Sequence, residues 1–254
     1  MTVAVRPGSN VFYEVSGSGP GGYLLLHGWC CDHVSMAPIA RHLAERHTVV
    51  NMDLRGHGGS SLKTPAYSSA DIVGDMVAVI EQAGLASPVL IGHSIGAKFV
   101  LACVQSHPDV ASGIVLLDTS IIESPQRKAN RLSVVVDGRY EDLRANVGAM
   151  FLASDRSQQR EQIVEGTVGT RPDVAIAALH AGDEIDMATA LAGYEGPVLY
   201  IAASRPMEDP QLMNYLNPRL VYGQVVGSGH FLQLDVPAQV NAMIDRFVEL
   251  QVAR

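Results

Sequence analysis

The sequence predicts an α/β protein with a mostly parallel, doubly wound sheet and a helical insertion. Short apolar runs of β character alternate with amphipathic stretches of helical spacing through 1–118, which is the rhythm of strand–helix–strand units. Within 119–196 the chain is richer in Arg, Asp, Gln and Ala, and its periodicity is helical. Strand character returns in 197–254. We therefore predict a core formed by 1–118 and 197–254, and a cap formed by 119–196 over the carboxyl ends of the strands.

The strands are predicted from short apolar runs bounded by turn residues. The first two are joined by a Pro-Gly-Ser-Asn turn, and 23–26 is a continuous apolar run, typical of a strand buried on both faces. In chain order they are 3–5, 11–15, 23–26, 48–52, 89–91, 113–117, 197–202 and 220–226.

The helices of the predicted core follow these strands. The stretch 70–82 places Ile72, Met76, Val79 and Ile80 on one face, and Gly84 ends it. The other core helices are predicted at 36–45, 95–105 and 236–250.

Composition and charge limit the classes of partner. The chain has 254 residues, 47% of them apolar, so one domain can bury a large core. A net charge of −8 with no basic block argues against nucleic acid and favours a small-molecule substrate. The cysteines, Cys30, Cys31 and Cys103, form no disulfide framework, which indicates a reduced compartment. No leader and no apolar run of membrane-spanning length is visible, so we expect a cytoplasmic protein without a membrane partner, of undetermined oligomeric state.

The candidate nucleophile is Ser94. It is the centre of Gly92-His93-Ser94-Ile95-Gly96, which follows a predicted strand and precedes a predicted helix. That context is what a nucleophile elbow requires, because the small flanking residues let strand and helix approach closely around a strained serine. Cysteine nucleophiles are not expected, since none of the three lies on such an elbow.

The candidate general base is His230. A serine hydroxyl needs a base, and the chain has nine histidines. His230 lies in a glycine loop after the last strand and before the last helix, so it can reach over Ser94. His27 ends a strand, and we interpret it as structural.

The candidate acid is Asp118, which ends the apolar run 114–117. It should emerge at the catalytic edge one strand beyond Ser94. A purely structural role, capping the start of the cap by accepting backbone N–H groups, is also open. Glu208 and Asp209 are the alternative acids.

Two backbone donors are needed for the oxyanion of a tetrahedral intermediate. The N–H of Ile95, directly after the nucleophile, should be one. The N–H of Trp29, in the loop after 23–26, should be the other. We also place the side chains of Trp29 and His93 in the lining of the substrate pocket, although Trp29 could equally be a core aromatic.

Four motifs in chain order together resemble the α/β-hydrolase superfamily: His27-Gly28-Trp29, Asp53-Leu54-Arg55-Gly56-His57-Gly58-Gly59-Ser60, Gly92-His93-Ser94-Ile95-Gly96 and Gly229-His230. The loop after His27 is similar to that of small cap-domain hydrolases, including the stress-signalling hydrolases of bacilli and the strigolactone receptors of plants. It is also similar to that of the cofactor-free quinolone dioxygenases. The resemblance implies that the segment from Asp53 to Ser60 is a structural loop.

The chain departs from that family pattern at two positions. Most members carry the acid after the strand that corresponds to 197–202, but the expected position holds Pro206. Certain branches, the cofactor-free dioxygenases among them, take their acid from the position of Asp118. Those dioxygenases usually place a second histidine directly after the serine, where this chain has Ile95.

The predicted function is a serine hydrolase acting through an acyl-enzyme on an ester, lactone or thioester of a small to medium apolar substrate. Apolar stretches at 134–136, 150–152 and 174–179 of the cap could bind an apolar group. The alternatives are a cofactor-independent ring-cleaving dioxygenase and a hydrolase-derived ligand receptor. No metal-ligand motif and no dinucleotide fingerprint is present, so we expect no metal and no cofactor.

Overall fold

A mostly parallel sheet forms the centre of the protein. The computed structural model describes residues 2–6, 8–64, 67–151 and 158–252, and nine strands lie among them. They are β1 (Thr2–Arg6), β2 (Ser9–Ser16), β3 (Gly22–Leu26), β4 (Thr48–Met52), β5 (Ser61–Leu62), β6 (Val89–His93), β7 (Gly113–Leu117), β8 (Val198–Ala202) and β9 (Val221–Gln224).

The strand order is β1-β2-β4-β3-β6-β7-β8-β9, with β5 paired to β2. The pairs from β4 through β3, β6, β7 and β8 to β9 are parallel, and only the pairs that involve β2 are antiparallel. The predicted α/β fold with a mostly parallel sheet is confirmed. In a parallel sheet the carboxyl ends of neighbouring strands share one edge, so the loops after β3, β6, β7 and β8 meet there.

Helices cover both faces of this sheet. The described residues form α1 (Ala37–Leu43), α2 (Ser69–Gln82), α3 (Ile95–Ser106), α4 (Pro125–Val136), α5 (Tyr140–Gly148), α6 (Gln158–Gly169), α7 (Pro172–Asp183), α8 (Met187–Gly193), α9 (Pro210–Leu216), α10 (Leu232–Asp235) and α11 (Pro237–Phe247). A 3₁₀ turn, His33–Met36, precedes α1, and a π turn, Val248–Val252, follows α11.

Alternate residues of each strand supply two separate cores. Leu24 and Leu26 of β3 pack with α2 and α3 on one face of the sheet. Tyr23 and Leu25 of the same strand pack with α1 and α11 on the other face. A strand whose side chains are buried in both directions tends to be apolar, which is why β3, β7 and the first three residues of β6 form apolar runs.

The last predicted helix, 236–250, begins one residue later than predicted, and a short helix that was not predicted precedes it. The chain forms the short helix α10, breaks at Val236, and begins α11 at Pro237. Val236 has φ −138° and ψ 54°, because the proline ring disfavours a helical conformation in the residue before it. Pro237 itself is compatible with the first position of a helix.

Five helices, α4 to α8, lie between β7 and β8, in the range 119–196 that was predicted to be a cap. We keep the word cap as a name for this segment only. Of the apolar stretches predicted to line a pocket, 150–152 extends into residues outside the described part of the chain, which omits 152–157. Within the described ranges no helix is long and apolar enough to cross a membrane.

Candidate active site

Ser94 occupies a sharp turn between β6 and α3. Its backbone has φ 54° and ψ −119°, a region that non-glycine residues rarely adopt. A Cβ at Gly92 would lie 2.5 Å from the backbone nitrogen of Ala97, and one at Gly96 would lie 2.5 Å from the carbonyl oxygen of His27. Both positions therefore need glycine, since the strand, the helix and the neighbouring loop approach too closely for any side chain.

Asp118 and His230 are joined by a short hydrogen bond. Asp118 follows β7, is 1% exposed and has φ 39°. Its Oδ2 accepts from the Nδ1–H of His230 at 2.7 Å, and its Oδ1 accepts from the backbone N–H of Ala203 at 3.0 Å. Because the carboxylate can only accept a hydrogen bond, Nδ1 of His230 carries the ring proton. Nε2 is then the ring nitrogen that is free to accept another proton.

The two alternative acids have other partners. Glu208 Oε1 accepts from the backbone N–H groups of Ile121 at 2.6 Å and Ile122 at 3.0 Å, and from the hydroxyl of Ser120 at 3.1 Å. Glu208 thus holds the start of the cap, the role that sequence reasoning had left open for Asp118. Asp209 begins α9 and accepts from the N–H of Gln211 at 2.7 Å.

The loop that carries His230 rests on the cap. The backbone N–H of His230 donates to the carbonyl oxygen of Met150 at 2.7 Å. Gly229 donates to Asp235 Oδ2 at 2.7 Å, and a Cβ at Gly229 would lie 2.2 Å from the Met150 oxygen. The glycine of the Gly229-His230 motif is therefore explained by close packing against the cap rather than by flexibility alone.

The predicted oxyanion donors border the same cavity as Ser94 and His230. Ile95 is the first residue of α3, where a backbone N–H has no acceptor within the helix. Trp29 lies in the turn after β3 and also lines this cavity. Its indole N–H donates to the carbonyl oxygen of Ala175 in α7 at 2.9 Å, so the side chain contacts both the cavity and the cap.

His93 borders the cavity from beneath. Its ring is 0% exposed, and its Nε2–H donates to the carbonyl oxygen of His230 at 2.9 Å. The two imidazole centroids lie 4.6 Å apart. Burial holds the pKa of His93 well below its usual range, so the ring stays neutral. His93 therefore supports the loop of His230 as well as bordering the cavity.

A sequence model of the α/β hydrolase fold matches residues 24–160, more than half of the chain. The chain belongs to the α/β hydrolase family. This confirms the resemblance drawn from the four motifs.

Two curated relatives of this α/β hydrolase are named as a hydrolase and an esterase, and a third, 24% identical over 94% of this chain and 96% of that protein, is a karrikin insensitive 2 receptor of Petunia hybrida. The chain is 27% identical to a 2-(acetamidomethylene)succinate hydrolase of Mesorhizobium japonicum, over 92% of this chain and 89% of that protein. It is 26% identical to a pimeloyl-[acyl-carrier protein] methyl ester esterase of Xylella fastidiosa, over 94% of this chain and 98% of that protein.

A solved structure shows the same fold. The enol-lactonase of Burkholderia xenovorans superimposes with a TM-score of 0.83 at 22% identity, covering 98% of this chain and 100% of that one.

The cavity beside Ser94 in this α/β hydrolase has a volume of about 160 Å³. One part of its wall is apolar, and another part is charged. The apolar side chains are Val147, Met150, Leu179, Met207 and Phe231, and the charged ones are Lys98, Glu123, Arg127 and Arg131. Sequence reasoning missed the charged wall, although Lys98 follows Ser94 by four residues, a spacing that puts it on the same side of α3.

A larger cavity of about 670 Å³ adjoins Cys30 and Cys31, and neither Ser94 nor His230 lines it. Burial raises the pKa of the Cys31 thiol to about 12, and it raises the pKa of Cys30 as well. Both thiols stay protonated, which agrees with the expectation that no cysteine is a nucleophile.

Two further histidines in the core of this α/β hydrolase are buried and neutral. His27 donates from Nδ1 to the Gly28 carbonyl at 2.7 Å and accepts from the Leu54 N–H at 3.0 Å, which is the structural role expected from the sequence. His57 donates from Nδ1 to the Arg55 carbonyl at 3.0 Å. Burial lowers the pKa of each ring to about 4.

This burial predicts a loss of stability in mild acid. The unfolded chain binds a proton at each of these rings below about pH 6.5, whereas the folded chain binds it only below about pH 4. The free energy of unfolding should therefore fall by about 1.4 kcal/mol per pH unit for each of His27 and His57 across that window. Urea unfolding at several pH values measures it.

A matched control for this prediction is His107→Gln, which removes an exposed histidine after α3. The variant should lose stability in acid as the wild type does. An unfolding free energy that stays constant between about pH 6.5 and pH 4 would contradict the assignment of two buried neutral rings.

Proposed function

We propose that this α/β hydrolase is a serine hydrolase that cleaves an ester, lactone or thioester bond of a small to medium apolar substrate. Ser94 is the nucleophile, His230 the general base and acid, and Asp118 the carboxylate that orients His230. The observation that carries the proposal is the 2.7 Å hydrogen bond from His230 Nδ1–H to Asp118, beside a serine held on a strained turn in the same cavity.

The reaction has two stages. Nε2 of His230 takes the proton of the Ser94 hydroxyl while the oxygen attacks the carbonyl carbon, and the negative charge collects on the carbonyl oxygen. The N–H groups of Trp29 and Ile95 stabilise that oxygen. The imidazolium then returns its proton to the leaving alcohol or thiol, and the acyl group stays on Ser94. Water repeats these steps and releases the acid.

The role of Asp118 in this mechanism is electrostatic and orientational. It fixes His230 as the Nδ1–H tautomer and offsets the charge of the imidazolium that forms transiently. The hydrogen bond from Ala203 to its other oxygen keeps the carboxylate in place. The names of two of the curated relatives, a hydrolase and a methyl ester esterase, support hydrolysis of an acyl bond.

A substrate panel tests the proposal. Short acyl esters, lactones and hydroxyquinolones are incubated with the protein, and acid release and oxygen uptake are recorded together. We expect release of acid from esters or lactones with no oxygen uptake. Oxygen consumption with ring cleavage and no ester hydrolysis would instead identify a cofactor-independent dioxygenase. Saturable binding of a lactone with no turnover would identify a ligand receptor.

A further inference from the structure

One wall of the cavity beside Ser94 is formed by a cluster of charged side chains that the proposed mechanism does not use. We call it the charged cluster. Four of its members line the cavity, namely Lys98, Glu123, Arg127 and Arg131, and Lys128 and Asp183 join them behind the wall through ion pairs. It joins α3 of the core to α4 and α7, so three elements contribute charge to one place.

Ion pairs neutralise only part of the positive charge of the charged cluster. Arg131 Nη2 lies 3.2 Å from Glu123 Oε2 and 3.0 Å from Asp183 Oδ1. Lys98 Nζ lies 3.6 Å from Glu123 and 3.8 Å from Asp183, and Lys128 Nζ lies 3.8 Å from Asp183.

Three cations of the cluster thus share the carboxylates of Glu123 and Asp183, and Arg127, which also lines the cavity, is a fourth cation. Within the described ranges, Arg127 makes no ion pair. The cluster is left with a surplus of two positive charges, in a protein whose net charge is −8.

Two groups of the cluster are buried without full compensation. The Nε–H of Arg131 is buried and has no hydrogen-bond partner among the described residues. Lys98 is 6% exposed, and its Nζ lies 3.6 Å and 3.8 Å from its two carboxylates, both longer than a hydrogen bond. Burial, followed by the charge of Arg131, lowers the pKa of Lys98. An unpaired buried donor and a buried cation held only by long ion pairs both cost free energy, so an anionic acceptor that enters the cavity would be bound favourably.

We propose that the charged cluster binds a carboxylate of the substrate, so that this enzyme prefers acyl substrates carrying an anionic group. The inference rests on the proposed serine hydrolysis and narrows its substrate to one in which an apolar chain joins the scissile bond to a carboxylate. Lys98 follows Ser94 by one turn of α3, about 6 Å along the helix axis, so the carboxylate lies a few bonds from the scissile carbonyl. The apolar wall contacts the chain between the two groups.

The geometry favours a carboxylate over larger anions. A cavity of about 160 Å³ leaves little room beside the acyl group, and a carboxylate is small and planar. Arg131 lines the cavity and has an Nε–H without a hydrogen-bond partner among the described residues, and a guanidinium matches a carboxylate in charge-assisted hydrogen bonds. A network that served only to fix α4 and α7 to α3 would need no surplus of cations.

Matched substrate pairs test the proposal. One pair places the charge in the acyl half: mono-para-nitrophenyl glutarate against para-nitrophenyl valerate. The other places it in the alcohol half: acetoxypropionate against butyl acetate. We expect the wild type to have the higher kcat/KM for the charged member of at least one pair. Arg131→Gln should reduce that selectivity roughly 10- to 100-fold, the effect of losing one charge-assisted hydrogen bond.

Companion variants separate binding from folding. Arg127→Gln removes an exposed side chain without an ion pair in the described ranges, and it should also reduce the selectivity. Arg131→Lys keeps the charge and should retain part of it. Arg139→Gln is the matched control, because Arg139 lies elsewhere in the cap and pairs with Asp142 at 2.8 Å, and it should leave the selectivity unchanged. Melting temperatures of all variants identify any that fail to fold.

A binding measurement distinguishes this proposal from the proposed function. Glutarate is titrated calorimetrically into Ser94→Ala and into Ser94→Ala with Arg131→Gln, neither of which needs to turn over. If glutarate binds to Ser94→Ala and not to the double variant, the result supports the carboxylate site even if no ester is hydrolysed. Equal kcat/KM for charged and neutral members in both pairs, or selectivity unaffected by Arg131→Gln, would overturn the proposal while leaving serine hydrolysis intact.

Discussion

Ser94→Ala is expected to lower kcat for ester hydrolysis roughly 10³- to 10⁶-fold, the range over which removal of a catalytic serine or its partners acts in serine hydrolases. In the proposed mechanism the hydroxyl oxygen of Ser94 forms the bond to the acyl carbon, and alanine offers no replacement. Activity that remains would come from oxyanion stabilisation and substrate positioning alone.

The same substitution should leave the fold intact. Ser94 precedes the first turn of α3, but its side chain makes no hydrogen bond to that turn, so no helix-capping interaction is lost. Alanine and serine meet the same steric limits at φ 54°. The melting temperature and the far-ultraviolet spectrum check this directly.

Ser106→Ala is the matched control for Ser94→Ala, because Ser106 is exposed at the other end of the same helix. It should keep wild-type kcat. If Ser94→Ala hydrolysed esters at a rate close to that of the wild type, the acyl-enzyme mechanism would be wrong.

Asp118→Asn is expected to lower kcat about 10⁴-fold, by analogy with the wrong-tautomer effect known from serine proteases. The backbone N–H of Ala203 donates to one oxygen of Asp118, so the single oxygen of an asparagine will take that position. Its amide group then faces Nδ1 of His230 and donates to it. Nδ1 becomes the acceptor, the proton moves to Nε2, and the ring can no longer accept the proton of Ser94.

Glu208→Gln and Asp209→Asn are the comparisons for Asp118→Asn. Glu208 accepts three hydrogen bonds at the start of the cap, so Glu208→Gln should lower the melting temperature and keep the rate within about 10-fold of wild type. Asp209→Asn retains an N-terminal acceptor for α9 and should have little effect. If Asp118→Asn were active and Glu208→Gln inactive, the acid would be Glu208, which follows β8, and the assignment of Asp118 would be wrong.

Much of the fold could be read from the sequence, because its signals are local. The strands β4 and β7 have the predicted bounds, because β-branched and apolar residues predominate in both, as in Thr48-Val49-Val50 of β4. The elbow at Ser94 was equally local, because two close backbone approaches require Gly92 and Gly96. The short helix α10 was missed, because its four residues are too few to give a periodic pattern.

The candidate site was harder to predict where it depends on long-range placement. The sequence favoured Asp118 over Glu208 by the position of its strand, but only the packing of β7 against β8 determines which carboxylate contacts His230. The charged cluster was missed altogether. Arg131 and Asp183 lie on two helices of the cap, and neither has a sequence pattern that connects it to Lys98.

The contact between His230 and Met150 constrains how this protein can diverge. The backbone N–H of His230, the proposed base, donates to the carbonyl oxygen of Met150, just after α5. Beside it Phe231 stacks on Phe151, with ring centroids 4.4 Å apart. Exchange of the helices between β7 and β8 for those of a relative would therefore alter the reaction centre as well as substrate choice. A functional chimera has to keep a chain at position 150 that presents its carbonyl to the histidine loop. During evolution, a change of specificity in the cap has to preserve the contact between position 150 and the loop of His230, or change both together.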